Sequence, residues 1–179
     1  YVMKNLTGSV PPILERMGYV QLKGNLNGFL HSLRANGNIQ SAAGLLKSNI
    51  LIKVDEANNR TYSGELSSYD LHIGKLLGDD KFGKAAFYLG LEGFHYRDKY
   101  PRSELKGIIS SLDYSDYHYE NILLDGIYED GGFNGHLALD DENARIQIDG
   151  SFNTTKRMPD FNLRASIKNF RPHDLNISD

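Results

Sequence analysis

Cysteine and tryptophan are both missing from the 179 residues, and proline occurs only five times. Without cysteine there is no disulfide framework and no thiolate metal site. Such a chain suits an oxidising compartment, although cytosolic proteins can lack cysteine too. No apolar run approaches the ~18 residues that a membrane-spanning helix needs, and no signal-peptide pattern is visible. Nor is there a block of like charge. The net charge is -3 with both signs mixed along the chain, which leaves no basic footprint for nucleic acid.

The motifs of catalysis are absent as well. The six histidines (31, 72, 95, 118, 136 and 173) are dispersed, with no HxH or HExxH spacing for zinc. "DDEN" at 140–143 has oxygen ligands but not the order of an EF-hand loop, and reads as a solvated turn. No GxSxG, P-loop or GxGxxG occurs. Ser67-Ser68 and Ser110-Ser111 have no neighbouring base. The expectation is a protein that is not an enzyme, with no catalytic residues, no metal and no cofactor.

What the chain does contain is alternation. Hydrophobic residues make up 40% and charged residues 24%, the balance of a folded domain rather than a disordered segment. Residues 1–18 form a distinct opening, with a short helix expected near 11–17, starting at Pro11 and Pro12 and stopped by Gly18. From Tyr19 to Asp179 the period is two. "YVQLKGNLNGFL" places Val20, Leu22, Leu26 and Leu30 on one face and Gln21, Lys23, Asn25 and Asn27 on the other. The same pattern predicts strands at "LRANGNIQ", "GLLKSNILIKVD", "TYSGELSSYDLHI", "AAFYLGLEGF", "SELKGIISSLDY", "YHYENILLDGIY", "FNGHLALD", "ARIQIDGSFN" and "FNLRASIKNF".

Compact polar tips separate these runs: "EANNR", "EDGG", "DDEN" and the two-residue linker Ser115-Asp116. Residues 105–152 therefore read as a four-stranded antiparallel meander. The cluster "DYSDYHY" is a hairpin in this reading, with Tyr114, Tyr117 and Tyr119 packing across a tight turn, since tyrosine suits a pleated surface. "KLLGDDKFGK" interrupts the strands with a helical turn or plug at 74–78 around Leu76 and Leu77. "RDKYPRS" at 97–103 reads as a loop because of Pro101.

The glycines follow the same period. Ten of the 18 have apolar residues two positions away on both sides, where chance at this composition gives about three. Gly24, Gly64, Gly107, Gly126, Gly135 and Gly150 are the clearest. Repeated interior glycine weakens strands, unless the missing side chains let the sheet curl along a line. The expected fold is all-β: an elongated, curled, antiparallel gutter with an apolar concave face, forming one domain over 19–179. Its lining is expected from Leu22, Leu26, Tyr62, Leu66, Leu105, Ile109, Leu124, Tyr128, Phe133, Leu137, Ile148 and Phe152, in the role of nonpolar contact. Other readings of the pattern are a β-sandwich module for glycan or peptide, and a structural spacer without ligand.

The succession of units resembles a known family. "VQLKGNLNGFLHSLRANGNIQSAAGLLKSNI", "YSGELSSYDLHIGKLLGD", "SLDYSDYHYENILLDGIYEDGGFNGHLALDDENARIQIDGSFN" and "RPHDLNISD" are similar to the repeat region of TamB/AsmA-like envelope proteins of Gram-negative bacteria. The likeness covers residues 11–179. It implies a fragment of a longer periplasmic protein, tethered to the inner membrane by an N-terminal segment outside this sequence. It also implies flanking repeats of the same chain, phospholipid acyl chains as cargo, and outer-membrane β-barrel assembly proteins as partners. No catalytic residues belong to that family. "KLLGDDKFGK" and the Pro101 loop depart from its regular repeat.

Overall fold

A computed structural model describes residues 15–29, 31–96, 101–153 and 158–176. Ten strands run in sequence order through a single antiparallel sheet, each paired with the next. They are β1 (Val20–Phe29), β2 (Ser32–Ser41), β3 (Gly44–Val54), β4 (Arg60–His72) and β5 (Phe82–His95). β6 (Arg102–Tyr114), β7 (Tyr117–Glu129), β8 (Gly132–Asp140), β9 (Arg145–Asn153) and β10 (Asp160–Lys168) follow. β1 and β10 do not pair with each other, so the sheet is open, with these two strands at its edges among the described residues.

All ten runs of alternation are strands. The turn chemistry explains why they pair in a meander. Ser115 and Asp116 both take positive φ (50° and 62°), as do Asp130 and Gly131 (49° and 70°). Two such residues make hairpin turns whose twist matches the flanking strands. Tyr114 pairs directly with Tyr117 across the first of them.

Some boundaries differ from the sequence reading. β6 starts at Arg102, immediately after Pro101, so the expected loop at 97–103 gives its last two residues to a strand. A proline just outside a strand forfeits no ladder bond. The helical turn is α1 (Ile73–Leu77), with Gly78 at φ 71° donating its N–H to the Gly74 carbonyl at 2.7 Å. Leu77 is half-exposed, so it is not a plug. Of the helix expected near 11–17, residues 11–14 lie outside the described residues. Glu15 and Arg16 are helical, and Gly18 at φ 65° ends the turn.

A second layer is missing among the described residues: the ten strands form one sheet, not a sandwich. The accessible surface is 12969 Å², against about 8,700 Å² for a compact monomer of this mass. The excess is what a single curled layer exposes.

Register decides which residues share a face, because directly paired residues point the same way. One row crosses all ten strands: Gly24, Gly37, Ser48, Leu66, Leu89, Gly107, Leu124, Leu137, Ile148 and Ala165. Two residues along each strand lies the next row of the same face, and so on. Between these positions the other face carries a row that includes Asn36, Asn49, Glu65, Lys106, Asp125, His136 and Asp149. One face is apolar and the other polar, as period two requires of a sheet wetted on one side.

Alternation fails in one band. Between Ser68 and Leu71 of β4 the pairing with β5 slips by a residue, and it slips again between β5 and β6. In β7, Asn121 stands at φ 54°. Strict alternation from Ile122 would send Tyr119 and Tyr117 to the polar face. The phase instead reverses at Asn121 with the β6–β7 register unchanged, so both return to the apolar side and pack with Ile122, Leu139 and Ile146 around Leu175. Register slips bend strands, and here they lie along β4, β5 and β6.

Candidate functional site

The two rims of the apolar face are built differently. At the rim where β2–β3, β4–β5, β6–β7 and β8–β9 connect, the face is covered. Ala43, Leu71 and Ala85 are buried beside α1, whose Lys75 donates to the Ala42 carbonyl at 3.3 Å. Arg16 donates to the carbonyls of Leu76 and Leu77 at 3.2 and 2.5 Å, satisfying the C-terminal end of that helix. Further along, the turn at 171–176 folds over the sheet. Arg171 donates its N–H to the Asn143 carbonyl at 3.0 Å, and Leu175, 1% exposed, packs on Leu139 and Ala144. Of the eleven buried residues among those described, ten lie at this rim; the eleventh is Phe133.

The "DDEN" turn belongs to this covered rim and is not fully solvated, which corrects the sequence reading. Asp141 is buried and accepts hydrogen bonds from the Tyr117 hydroxyl (2.5 Å), the Glu120 N–H (3.0 Å) and the Asn143 N–H (3.0 Å). Burial pushes its carboxyl up, but these three donors outweigh burial and hold it below the usual carboxylate range. Burial and then the carboxylate push the Tyr117 hydroxyl up. The tyrosine cluster is thus a structural clasp.

The opposite rim has no such cover among the described residues. Its row reads Leu33, Ile52, Tyr62, Gly93, Ser103, Tyr128, Phe133, Phe152 and Phe161 across β2 to β10. The Tyr62 ring lies over Gly93, and its hydroxyl meets Ser103 Oγ at 2.6 Å, so one side chain spans three strands. Phe133 and Phe152 sit with centroids 5.8 Å apart.

Register brings together the residues singled out in the sequence. Leu22, Tyr62, Leu66, Leu105, Ile109, Leu124, Tyr128, Phe133, Leu137, Ile148 and Phe152 lie on the apolar face, and Leu26 holds a register position in its rows. Gly126, Gly135 and Gly150 stand side by side on β7, β8 and β9. Gly24 pairs with Gly37, while Gly64 and Gly107 face Leu91 and Leu89 across the ladder. Gly64 and Gly150 have φ of 148° and 135°, which side chains rarely tolerate. A Cβ at either would also strike the carbonyl of Asn49 or Asn162 on the neighbouring strand.

Choosing residues by their distance from glycine missed half of the face. Ile39, Leu46, Ile50, Phe87, Leu89, Leu91, Ile122, Leu139, Ile146 and Leu163 lie on it as well. Plain alternation within each strand was the signal that finds them.

The polar face carries pairs rather than a reaction centre. Lys106 meets Asp125 at 2.8 Å, and His136 meets Asp149 at 2.8 Å. Arg102 lies 3.3 Å from Glu104 and 3.9 Å from Glu129. The hydrogen bond that Lys106 donates to Asp125 raises the pKa of its amine. Near the uncovered rim, Lys53, Glu92, Phe94 and Arg102 border an open depression of about 440 Å³. No group of three or more metal-ligating side chains converges among the described residues, and no helix there is long and apolar enough to cross a membrane.

None of the protein-family models, curated proteins or solved structures compared with the chain matches it.

Proposed function

We propose that the chain is a non-enzymatic, TamB/AsmA-like periplasmic segment whose apolar trough shields the acyl chains of phospholipids passing between the inner and outer membranes. Outer-membrane barrel assembly proteins are its partners in this reading, and repeats of the same polypeptide adjoin its two sheet edges. One observation carries the proposal: a face that is apolar across ten consecutive strands, with cover, among the described residues, at one rim only. A protein that needed this face solely for its own stability would bury it under a second layer. Each methylene kept from water is worth ~0.8 kcal/mol. A lipid tail can therefore leave a bilayer only for a surface as dry as the one it leaves. The resemblance of the strands to the repeats of that family adds support.

The experiment places a charge on the lining. Leu137→Lys and Ile148→Lys lie in the row shared by all ten strands, and Gln147→Lys on the outer face is the control. Cross-linking of a photoactivatable phospholipid to the full-length protein is expected to fall several-fold in the first two and to stay unchanged in the third, with circular dichroism intact. Equal cross-linking in all three folded variants contradicts the proposal.

A further inference from the structure

We infer that the β10 edge of the sheet docks a second copy of this chain, the two β10 strands pairing antiparallel about a two-fold axis between their Arg164 residues. This goes beyond the proposed function and does not rest on acyl binding. At this one edge the neighbour is a second copy, in place of the repeat which that reading puts there.

The edge is unguarded. Sheets protect their outer strands with proline, bulges or short length. β10 has nine regular residues, no proline, no glycine and no positive φ. All nine are exposed. Phe161, Leu163 and Ile167 on the apolar face are 60%, 45% and 55% exposed. β1, the other outer strand, carries Lys23 and two glycines, with Gly28 at φ 146°. The chain that leaves β10 does not fill the edge. It turns at Asn169, φ 49°, and the segment 171–176 fastens onto the β8–β9 turn through Arg171 and Leu175.

The sequence of β10 complements its own reverse. Antiparallel pairing centred on Arg164 sets Asp160 against Lys168, Phe161 against Ile167, Asn162 against Ser166 and Leu163 against Ala165, each twice. Every pair joins residues of one face, apolar on the trough side and polar on the other. Opposite charges and apolar pairs set directly across a ladder favour it. The one like-charged pair is Arg164 with its counterpart, and each is directly paired with Asp149 of its own β9. Moving the centre to Leu163 or Ala165 keeps the faces matched but loses both Asp160–Lys168 pairs. A two-fold contact closes on itself, so the product is a dimer. Its axis stands perpendicular to the sheet, and both apolar faces open to the same side.

The test uses the full chain, which has no cysteine of its own. Arg164→Cys and Ser166→Cys are each oxidised with copper phenanthroline. Directly opposed residues lie about 5 Å apart, within reach of a disulfide. Position 166 lies four residues from its counterpart, about 13 Å along the strand. Arg164→Cys is expected to form a covalent dimer several-fold faster than Ser166→Cys. In sedimentation equilibrium the parent chain is expected to dimerise, Lys168→Asp to weaken the dimer several-fold, and Asp160→Lys/Lys168→Asp to restore it, with circular dichroism intact. Should Lys168→Asp fail to fold, the cysteine pair decides alone. A parent chain that is monomeric at every concentration overturns the inference, as do equal cross-linking at the two positions and absence of rescue in the folded double variant. Species that grow beyond the dimer mean that β10 pairs with β1 of the next copy, which overturns it too. Each of these results leaves acyl binding standing.

Discussion

Tyr117 donates its hydroxyl hydrogen to Asp141 over 2.5 Å, fastening the first residue of β7 to the turn between β8 and β9. Asn143 Nδ2 donates to the same hydroxyl at 3.1 Å, so the turn, the strand and the covered rim share one polar network.

That network sets an acid dependence. Asp141 sits below its ordinary value, because hydrogen bonds outweigh the burial that pushes it up. Asp113 is also lowered, first by its hydrogen bond with His118. A carboxyl depressed in the folded state stabilises above its unfolded pKa of about 3.9, and that stability is lost as pH falls through the folded value. The thermal midpoint is expected to hold from pH 7 to about 4 and to drop below it. Asp141→Asn is expected to lose about 1–3 kcal/mol at pH 7, with the gap from the parent protein narrowing in acid. Calorimetry across pH checks it; a constant gap down to pH 2 opposes it.

Gly150 and Gly90 are both strand glycines with different duties. Gly150 holds φ 135° against the β10 backbone, whereas a Cβ at Gly90 meets nothing nearer than 3.5 Å. Gly150→Ala is expected to cost about 1–3 kcal/mol from backbone strain alone. Gly90→Ala is expected to fall within about 0.5 kcal/mol of the parent. Urea midpoints at constant slope separate the two.

Leu175 reaches the sheet from a short polar segment and is fully buried there. Leu175→Ala is expected to destabilise by about 2–5 kcal/mol. Tyr119→Phe removes only a 3.4 Å hydrogen bond to the Leu175 carbonyl and is expected to cost no more than about 1 kcal/mol. Denaturant unfolding of both variants distinguishes packing from the hydrogen bond as the reason that the turn stays closed.

Much of this architecture was legible locally. Period two marked every strand, and turn residues such as Ser115-Asp116 fixed which neighbours pair. With the register, those two signals put Leu66, Leu124, Leu137 and Ile148 in one row. What stayed hidden depends on distant contacts. "RPHDLNISD" is too polar to announce that Leu175 is a core residue; only its packing on Leu139 and Ala144 makes it one. Asp141 reads as a solvated turn carboxylate until Tyr117, 24 positions earlier, is brought to it. The phase change at Asn121 is a backbone choice, a positive φ that asparagine tolerates without requiring it. Alternation therefore pointed the wrong way for Tyr119, and the asymmetry between the rims could not be foreseen.

The most direct measurement is native mass spectrometry of the protein purified from a Gram-negative host. Adducts of phospholipid mass are expected on the intact chain, and they are expected to vanish from the folded Leu137→Lys/Ile148→Lys double variant. A bare chain that takes up no phospholipid even when it is supplied, or adducts retained equally by the double variant, contradicts an acyl-binding trough.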